Sequence, residues 1–205
     1  MLIVINFKNY RKGKKVLKLA KKIEKYLPKA IVCIPSVNIK EISEKTKLKV
    51  FAQHVEKNSD RETGFLTVDA AKKSGANGSL LNHSEHKIGI KKIREIGREK
   101  IKLIVCASNL NEVGEIKKIK PYAIAFEDPK LISTRKSITK YNPEAIRKFI
   151  KILKSTSIIP LCGAGINSKS DILEAKKLGC KGVLISSAIA NSKNPDKILG
   201  EISEI

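Results

Sequence analysis

The chain of 205 residues is long enough for a sizeable buried core, and we predict a single domain over residues 1–205. Its 42 lysines and arginines outnumber 20 aspartates and glutamates and give a formal net charge of +22, so an anionic partner such as nucleic acid, an acidic surface or a phosphorylated metabolite has to be considered. The chain has no apolar run near the roughly 18 residues that a transmembrane helix needs, and its apolar N-terminus is too short for a secretion signal, which excludes a membrane partner and favours the cytoplasm.

Short runs rich in apolar and β-branched residues recur at regular intervals, and each has the length of a buried strand. The eight predicted strands are residues 2–5, 30–34, 50–52, 78–81, 103–106, 122–126, 158–162 and 182–185. The runs show little alternation of apolar and polar residues, as expected of parallel strands that are covered on both faces.

Amphipathic helical patterns separate these strands. Between the first two, Val16, Leu19 and Ile23 recur at helical spacing with lysines on the other face. One longer segment, residues 127–141, shows no sustained helical period and carries Pro129, so we predict a loop of the kind that often serves as a lid. Strand followed by helix eight times is typical of a closed parallel barrel, and the predicted fold class is therefore α/β, a (β/α)8 TIM barrel with short helices.

The excess positive charge is distributed as short pairs inside the helical patterns, such as Lys14-Lys15 and Lys117-Lys118, with no basic tail and few interleaved aromatic residues. This distribution favours solvated helix faces over a nucleic-acid footprint, so we do not expect nucleic acid as a partner. The four cysteines are far apart and lack the spacing of a metal site, so we predict reduced, mostly buried thiols.

Polar residues follow the predicted strands at their carboxyl ends, which is where the active site of such a barrel lies. Lys8 follows the first strand, His83 the fourth and Glu127 the sixth. Turns of small residues follow the seventh and eighth strands, at residues 163–165 and 186–187, and leave main-chain amides accessible. A lysine, a histidine and a glutamate that converge opposite such turns predict a proton-transfer site with an anion pocket.

Four segments at these strand ends carry a more specific signal. They are Ile5-Asn6-Phe7-Lys8, Asn82-His83-Ser84-Glu85, Phe126-Glu127-Asp128-Pro129 and Leu161-Cys162-Gly163-Ala164-Gly165-Ile166. In order and spacing they resemble the triosephosphate isomerase family, in particular its short archaeal form. One such string alone would be a weak signal, whereas four in register on eight strand–helix units are a strong one that covers essentially the whole chain.

The resemblance implies an enzyme that interconverts dihydroxyacetone phosphate and glyceraldehyde 3-phosphate, a small-molecule triose phosphate substrate. In the known chemistry of this family, Glu127 corresponds to the base, His83 to the electrophile that polarises the substrate oxygens, and Lys8 to the cation that stabilises the enediolate. Asn6 is implied as a polar contact and Glu85 as a carboxylate near the lysine. Because this chemistry moves protons only, we expect neither a metal nor an organic cofactor.

The residue types fit this chemistry without the resemblance. A proton next to a carbonyl is weakly acidic, so a carboxylate such as Glu127 must remove it while Lys8 and His83 stabilise the oxyanion that forms. We predict that His83 begins a helical turn whose dipole favours the neutral imidazole. His54, after the third strand, is assigned to packing or a subunit contact, and His86 to an exposed helix surface.

Main-chain amides at the turns after strands six, seven and eight are predicted to hold the phosphate, because small residues let the backbone approach an anion. The predicted substrate-binding residues of these turns are Ser133, Gly163, Gly165, Ser186 and Ser187.

The predicted lid departs from the family. Where the family has a Gly-Thr-Gly hinge, this chain has Ser133, Thr134 and Arg135, and a side chain at a position that needs positive φ would cost about 1–2 kcal/mol. We therefore predict less favourable lid closure, with a compensating phosphate contact only if Arg135 faces inward.

Two alternatives stay open at this level. Another phosphosugar-binding barrel enzyme would share the anion turns but has no need to bring Lys8, His83 and Glu127 together. A catalytically impaired basic barrel that binds RNA or a protein partner would fit the net charge of +22 and the altered lid. Residues 55–67 resemble the segment that docks into a neighbouring subunit in the family, so a homodimer or homotetramer is predicted.

Overall fold

The computed structural model describes residues 1–61, 63–132, 134 and 136–205. Eight parallel strands, β1 to β8, form a closed barrel in which sequence neighbours pair and β8 pairs with β1. The strands are Leu2–Asn6, Ile31–Ile34, Lys49–Ala52, Gly78–Leu81, Lys102–Ala107, Ala123–Phe126, Ile159–Cys162 and Gly182–Ile185. Every predicted strand is present with ends that agree to within one residue, and the predicted (β/α)8 barrel is confirmed.

Helices cover the outside of the barrel. In the described part of the chain, α1 to α10 are Lys14–Tyr26, Ile39–Lys45, Val68–Lys73, Gly89–Ile96, Leu110–Lys117, Ile138–Tyr141, Pro143–Leu153, Lys169–Lys177, Ser187–Ala190 and Pro195–Ser203. Capping side chains set several of the starts: the side chain of Ser168, for example, accepts a hydrogen bond from the N–H of Asp171 at the start of α8. The predicted apolar face of α1 is buried, with Val16 and Ile23 inaccessible to solvent.

Apolar side chains form two separate layers. Inward-pointing strand residues, among them Val4, Phe51 and Leu184, fill the barrel interior. Residues of the opposite strand faces, such as Ile5 and Val183, pack against the helices. Burial on both faces explains why the strands show little alternation, and it leaves the strand ends as the place where polar side chains can gather.

The described residues after β6 contain more regular secondary structure than predicted. Asp128 accepts a hydrogen bond from the N–H of Lys130 (3.0 Å) at the start of a 3₁₀ turn over Pro129–Leu131. The Ser137 hydroxyl accepts one from the N–H of Thr139 (3.3 Å) and caps α6. The prediction of a loop as far as residue 141 is wrong at its C-terminal end, because a helix of four residues is too short to show a helical period and depends on its cap.

Within the described ranges, no helix is both long and apolar enough to cross a bilayer. The four cysteines are unpaired and buried, as predicted. Burial raises the pKa of the Cys33 thiol far above its usual range.

Candidate active site

A cavity of about 910 Å³ opens at the carboxyl ends of the strands. Predicted site residues that line it are Asn6, Lys8, His83, Glu127, Gly165, Ser186 and Ser187. Gly163 lies directly against Glu127, and Glu85 contacts Lys8 from a neighbouring cleft of about 600 Å³. Ser133 and Arg135 lie outside the described residues, so the role of Ser133 and the direction of Arg135 stay predictions.

Lys8 occupies a left-handed main-chain conformation just after β1. Its φ is 44°, a value that costs free energy for a residue with a Cβ. The N–H of Lys8 donates to Asn6 Oδ1 (3.0 Å), and the amide of Gln53 donates to the Lys8 carbonyl (3.1 Å) and to Asn6 Oδ1 (3.2 Å). These hydrogen bonds offset the main-chain cost and hold the lysine in one position.

The Lys8 ammonium forms an ion pair across the barrel mouth. Its Nζ lies 2.6 Å from Glu85 Oε1, and the Lys8 side chain is 10% exposed whereas that of Glu85 is 58% exposed. The lysine is thus the enclosed partner that faces the cavity, and the glutamate is the solvated one that balances its charge.

His83 is fixed by a main-chain amide. The N–H of Glu85 donates to His83 Nδ1 (3.2 Å), so Nδ1 carries no proton and the neutral ring has its proton on Nε2. A turn begins at His83, as predicted, and is closed by the His86 N–H on the His83 carbonyl (2.8 Å), but it stays a single turn because α4 begins only at Gly89. The Glu85 amide selects the tautomer of the neutral ring, and the predicted effect of a helical dipole on the charge of His83 stays a prediction.

Glu127 is buried at the end of β6. Its Oε2 lies 3.7 Å from His83 Nε2 and has no hydrogen-bond partner among the described residues. A Cβ at Gly163 would stand 2.7 Å from Glu127 Oε1, so the glycine leaves the space that the carboxylate occupies. Burial raises the pKa of the Cys106 thiol well above its usual value and the charge of Glu127 raises it further, so a neutral thiol lies beside the carboxylate.

The turn after β7 is joined to the end of the predicted lid. Gly165 has φ 69°, and any Cβ there would collide with the Lys136 carbonyl oxygen. The Ala164 carbonyl accepts a hydrogen bond from the N–H of Ile138 (3.1 Å). The Asn167 side chain donates to the Gly165 carbonyl (2.7 Å), which leaves the Gly165 conformation little freedom.

The turn after β8 is attached to the start of the chain. The Ser186 hydroxyl donates to the Asn6 carbonyl (2.8 Å), and Ser187 begins α9 at the cavity wall. The first N–H groups of a helix have no acceptor inside the helix. In α9 those of Ile189 and Ala190 donate to the Ser186 carbonyl (3.0 and 2.8 Å), whereas those of Ser187 and Ala188 have no main-chain acceptor among the described residues and are available to an anion in the cavity.

Several residues that position this site were not predicted from the sequence. Gln53 follows β3, so inspection of every strand end would have found it. Asn82, with φ 57°, donates from Nδ2 to the Cys106 carbonyl (2.9 Å) and accepts from the N–H of Ile88 (3.1 Å). Asp171 is buried and accepts a hydrogen bond from the N–H of Asn167 (3.1 Å), and nothing in a helix pattern marks that contact in advance.

The two remaining histidines form a pair beside the neighbouring cleft. The rings of His54 and His86 stack with centroids 4.2 Å apart, and His54 Nε2 lies 3.0 Å from Glu56 Oε1. Burial lowers the pKa of His54 despite the opposing effect of Glu56. His86 is exposed, as predicted, although it lies in a turn and not on a helix. Across the described residues, no three His, Cys, Asp or Glu side chains come together as a metal site.

A family model described as triosephosphate isomerase matches residues 1–202 of the chain. A triosephosphate isomerase of Sulfolobus acidocaldarius is 37% identical over 97% of this chain and 91% of its own length. One of Methanothermus fervidus is 33% identical over 98% and 96%, and one of Methanocaldococcus jannaschii is 33% identical over 98% and 98%.

Solved structures with lower identity share the fold. A triosephosphate isomerase of Bartonella henselae superposes with a TM-score of 0.69 at 17% identity and covers 92% of this chain and 93% of that one. A thiamine phosphate pyrophosphorylase of Pyrococcus furiosus gives 0.66 at 17% identity and covers 99% of this chain and 93% of that one. At such identities the likeness extends to the fold alone.

Proposed function

The chain belongs to the triosephosphate isomerase family, and from this premise we propose that it interconverts dihydroxyacetone phosphate and D-glyceraldehyde 3-phosphate through an enediolate, with Glu127 as the base. One observation carries the assignment of roles: Lys8, His83 and Glu127 line the same cavity, with Glu127 Oε2 only 3.7 Å from His83 Nε2. A phosphosugar barrel of another chemistry has no need for that arrangement.

Glu127 takes a proton from the carbon next to the substrate carbonyl and returns it to the neighbouring carbon. Its Oε2 suits this step because it is buried and has no competing hydrogen bond within the described structure. The electron pair of the broken C–H bond moves onto the carbonyl oxygen. The proton of the neighbouring hydroxyl passes to this oxygen, with His83 Nε2 as the group that donates one proton and recovers the other, and return of the carbon-bound proton by Glu127 to the former carbonyl carbon completes the isomerisation without any net oxidation.

Lys8 and His83 stabilise the oxygen that gains this charge. The Nε2–H of His83 donates a hydrogen bond to it, and the enclosed ammonium of Lys8 supplies a positive charge in a site that water reaches poorly. Glu85 pairs with Lys8 from the solvent side and keeps the ammonium directed at the cavity mouth. Both groups are held in place before substrate arrives, which is the condition for effective electrostatic stabilisation.

The phosphate binds between the β7 and β8 turns. The Gly165 main chain is exposed to the cavity because no side chain covers it, and Ser186 and Ser187 bring further amides to the same wall. The side-chain identity of Ser187 matters less in this role than its N–H. Ser133 stays a predicted fourth contact.

The experiment is a coupled assay of the purified chain with D-glyceraldehyde 3-phosphate, in which dihydroxyacetone phosphate is reduced by an added dehydrogenase. We expect turnover that disappears in Glu127→Gln purified in parallel, a variant that also controls for a contaminating host enzyme. Equal rates for the parent and the variant would contradict the proposed base. No turnover by the folded parent would contradict the proposed activity.

Self-association is a second part of the proposal. In the described part of the loop 55–67, the Glu56 N–H donates to the Leu66 carbonyl (2.8 Å), and Phe65, next to this contact, is 56% exposed. We propose that a second copy covers this loop in a homodimer or homotetramer, and light scattering after gel filtration measures the mass directly.

A single domain over residues 1–205 and a cytoplasmic location stay predictions.

A further inference from the structure

Arg11 joins the two sides of the active-site cavity. It lies between β1 and α1, three residues after Lys8, and is half-buried. Its Nε donates to the Ala190 carbonyl (2.8 Å) and its Nη2 donates to the Ser192 carbonyl. Both acceptors belong to the C-terminal end of α9 and the residues that follow it.

The helix that Arg11 holds is too short to position itself. The internal hydrogen bonds of α9 are few: the N–H of Ala190 on the Ser186 carbonyl (2.8 Å) and that of Asn191 on the Ser187 carbonyl (3.1 Å) are two of them. A single turn is marginal in isolation, because its nucleation cost is not repaid by so few hydrogen bonds. The direction of its amides therefore depends on what holds its ends.

Both ends of α9 are held by the same stretch of chain. The Ser186 hydroxyl donates to the Asn6 carbonyl at the N-terminal end, and Arg11 takes the carbonyls at the C-terminal end. That stretch also carries Lys8, whose conformation is fixed by its own hydrogen bonds. The position of α9 relative to Lys8 is therefore set by the short segment from Asn6 to Arg11.

A guanidinium suits this task. Carbonyl groups at a helix C-terminus carry negative partial charge and lack N–H donors in the helix, so a cation that also donates hydrogen bonds satisfies both needs. The planar fork of arginine reaches two carbonyls at once, whereas a lysine ammonium acts as a point charge.

We propose that Arg11 is a positioning residue for phosphate binding: it fixes α9 from its C-terminal end and so sets where the amides at Ser186 and Ser187 stand relative to Lys8. This inference rests on the proposed function. It predicts a defect that appears only when the substrate carries a phosphate.

The test compares Arg11→Ala and Arg11→Lys with Arg147→Ala, which removes an exposed arginine paired with Glu144 on α7. For Arg11→Ala we expect the KM for D-glyceraldehyde 3-phosphate and the inhibition constant of inorganic phosphate to rise together by about tenfold, since one lost positioning interaction is worth about one such factor. The value of kcat should change by less than about threefold, as expected when binding more than chemistry is lost. Arg11→Lys should be intermediate and Arg147→Ala unchanged.

The phosphate-free substrate D-glyceraldehyde separates positioning from general damage. Its kcat/KM should stay within about twofold of the parent in both Arg11 variants, because the proposed defect acts on phosphate binding alone. Millimolar guanidinium chloride should restore part of the lost affinity in Arg11→Ala.

Two results would overturn the inference: KM and phosphate inhibition unchanged in Arg11→Ala, or equal losses on glyceraldehyde 3-phosphate and glyceraldehyde. If Arg11→Ala does not fold, Arg11→Lys carries the same comparison. A parent chain inactive on glyceraldehyde 3-phosphate would contradict the proposed function, whereas an active parent with an unaffected Arg11 variant contradicts only the inference.

Discussion

The predicted catalytic groups and the proposed phosphate site differ in the part of the residue that they use: side chains in the first and main-chain amides in the second. After β1, β4 and β6, Lys8, His83 and Glu127 present side-chain groups, and the Glu85 side chain and the Glu85 amide fix the first two of them. After β7 and β8, Gly165, Ser186 and Ser187 line the cavity, and we assign the phosphate to their main-chain amides. The Gly163 N–H is not available for this role, because it donates to the Phe126 carbonyl (2.9 Å). We call the catalytic groups the side-chain half and the phosphate site the main-chain half. The first should fail when a side chain is removed, and the second when a side chain is added.

The largest effect is expected from Glu127→Gln in the side-chain half. An amide is a very poor proton acceptor, so kcat should fall by about 10²–10⁴-fold, the range for loss of a general base. Inhibition by inorganic phosphate should be unchanged, because the main-chain half is intact. Glu144→Gln, on an exposed side chain of α7, is the matched control. A kcat within about tenfold of the parent, or roughly 1.4 kcal/mol of barrier, would remove Glu127 from the mechanism.

Lys8→Ala should have the next largest effect. Loss of one group that stabilises a developing oxyanion costs about 10²–10³-fold in kcat, and here the KM should rise as well because the same charge attracts the substrate. Lys12→Ala is the control, since Lys12 lies in the same connection and is exposed. The measurement is the steady-state kcat and KM of both variants. Unchanged kinetics in folded Lys8→Ala would place the ammonium outside the reaction.

The difference between the halves explains what the sequence could predict. Lys8, His83 and Glu127 could be predicted because their side chains are chemically reactive and each follows a strand. The eight strands could be predicted from apolar runs of the right length. Arg11 could not be assigned, because its partners are main-chain carbonyls distant in sequence, which leave no signature in residue identity. Gln53 could have been found from its place after β3, but its contacts with the Lys8 carbonyl and Asn6 Oδ1 could not. At His83 the tautomer is set by one local contact, the Glu85 N–H on Nδ1, which residue identity does not reveal.

Gly165→Ala should be the most damaging change in the main-chain half. The new Cβ would meet the Lys136 carbonyl oxygen at a residue with φ 69°, so the turn and the lid end must move apart. We expect a KM raised by tenfold or more and a free energy of unfolding lower by about 1–3 kcal/mol. Gly114→Ala in α5, where a Cβ meets nothing, is the control and should be neutral or slightly stabilising. Urea denaturation and kinetics measure both quantities.

Ser187→Ala also tests the main-chain half, but it removes a side-chain group whereas Gly165→Ala adds one. If the main-chain N–H of Ser187 binds the phosphate, loss of the hydroxyl should change the KM by less than about threefold, because the amide is retained and a single neutral hydrogen bond contributes little net free energy. The measurement is the KM for D-glyceraldehyde 3-phosphate beside that of Gly165→Ala. A loss as large as that of Gly165→Ala would show that this side also depends on side chains, and the distinction between the halves would fail.

The smallest expected effect lies outside both halves, in the His54–His86 pair. Burial lowers the pKa of His54 in the fold, against the pull of Glu56 and with the help of the nearby charges of His86 and Lys92. In the unfolded chain a histidine titrates near about 6.5, so as the pH falls below that value the unfolded state takes up the proton first and is stabilised. The melting temperature of the parent should therefore drop between pH 7.5 and pH 5.5, both roughly one unit from 6.5, and that of His54→Gln should drop less steeply. The glutamine amide keeps a donor toward Glu56 but does not titrate. The carboxylates that are stabilised in the fold, Glu56 among them, titrate lower and contribute little in this window. Equal slopes in the two proteins would mean that His54 is protonated as readily in the fold as in the unfolded chain.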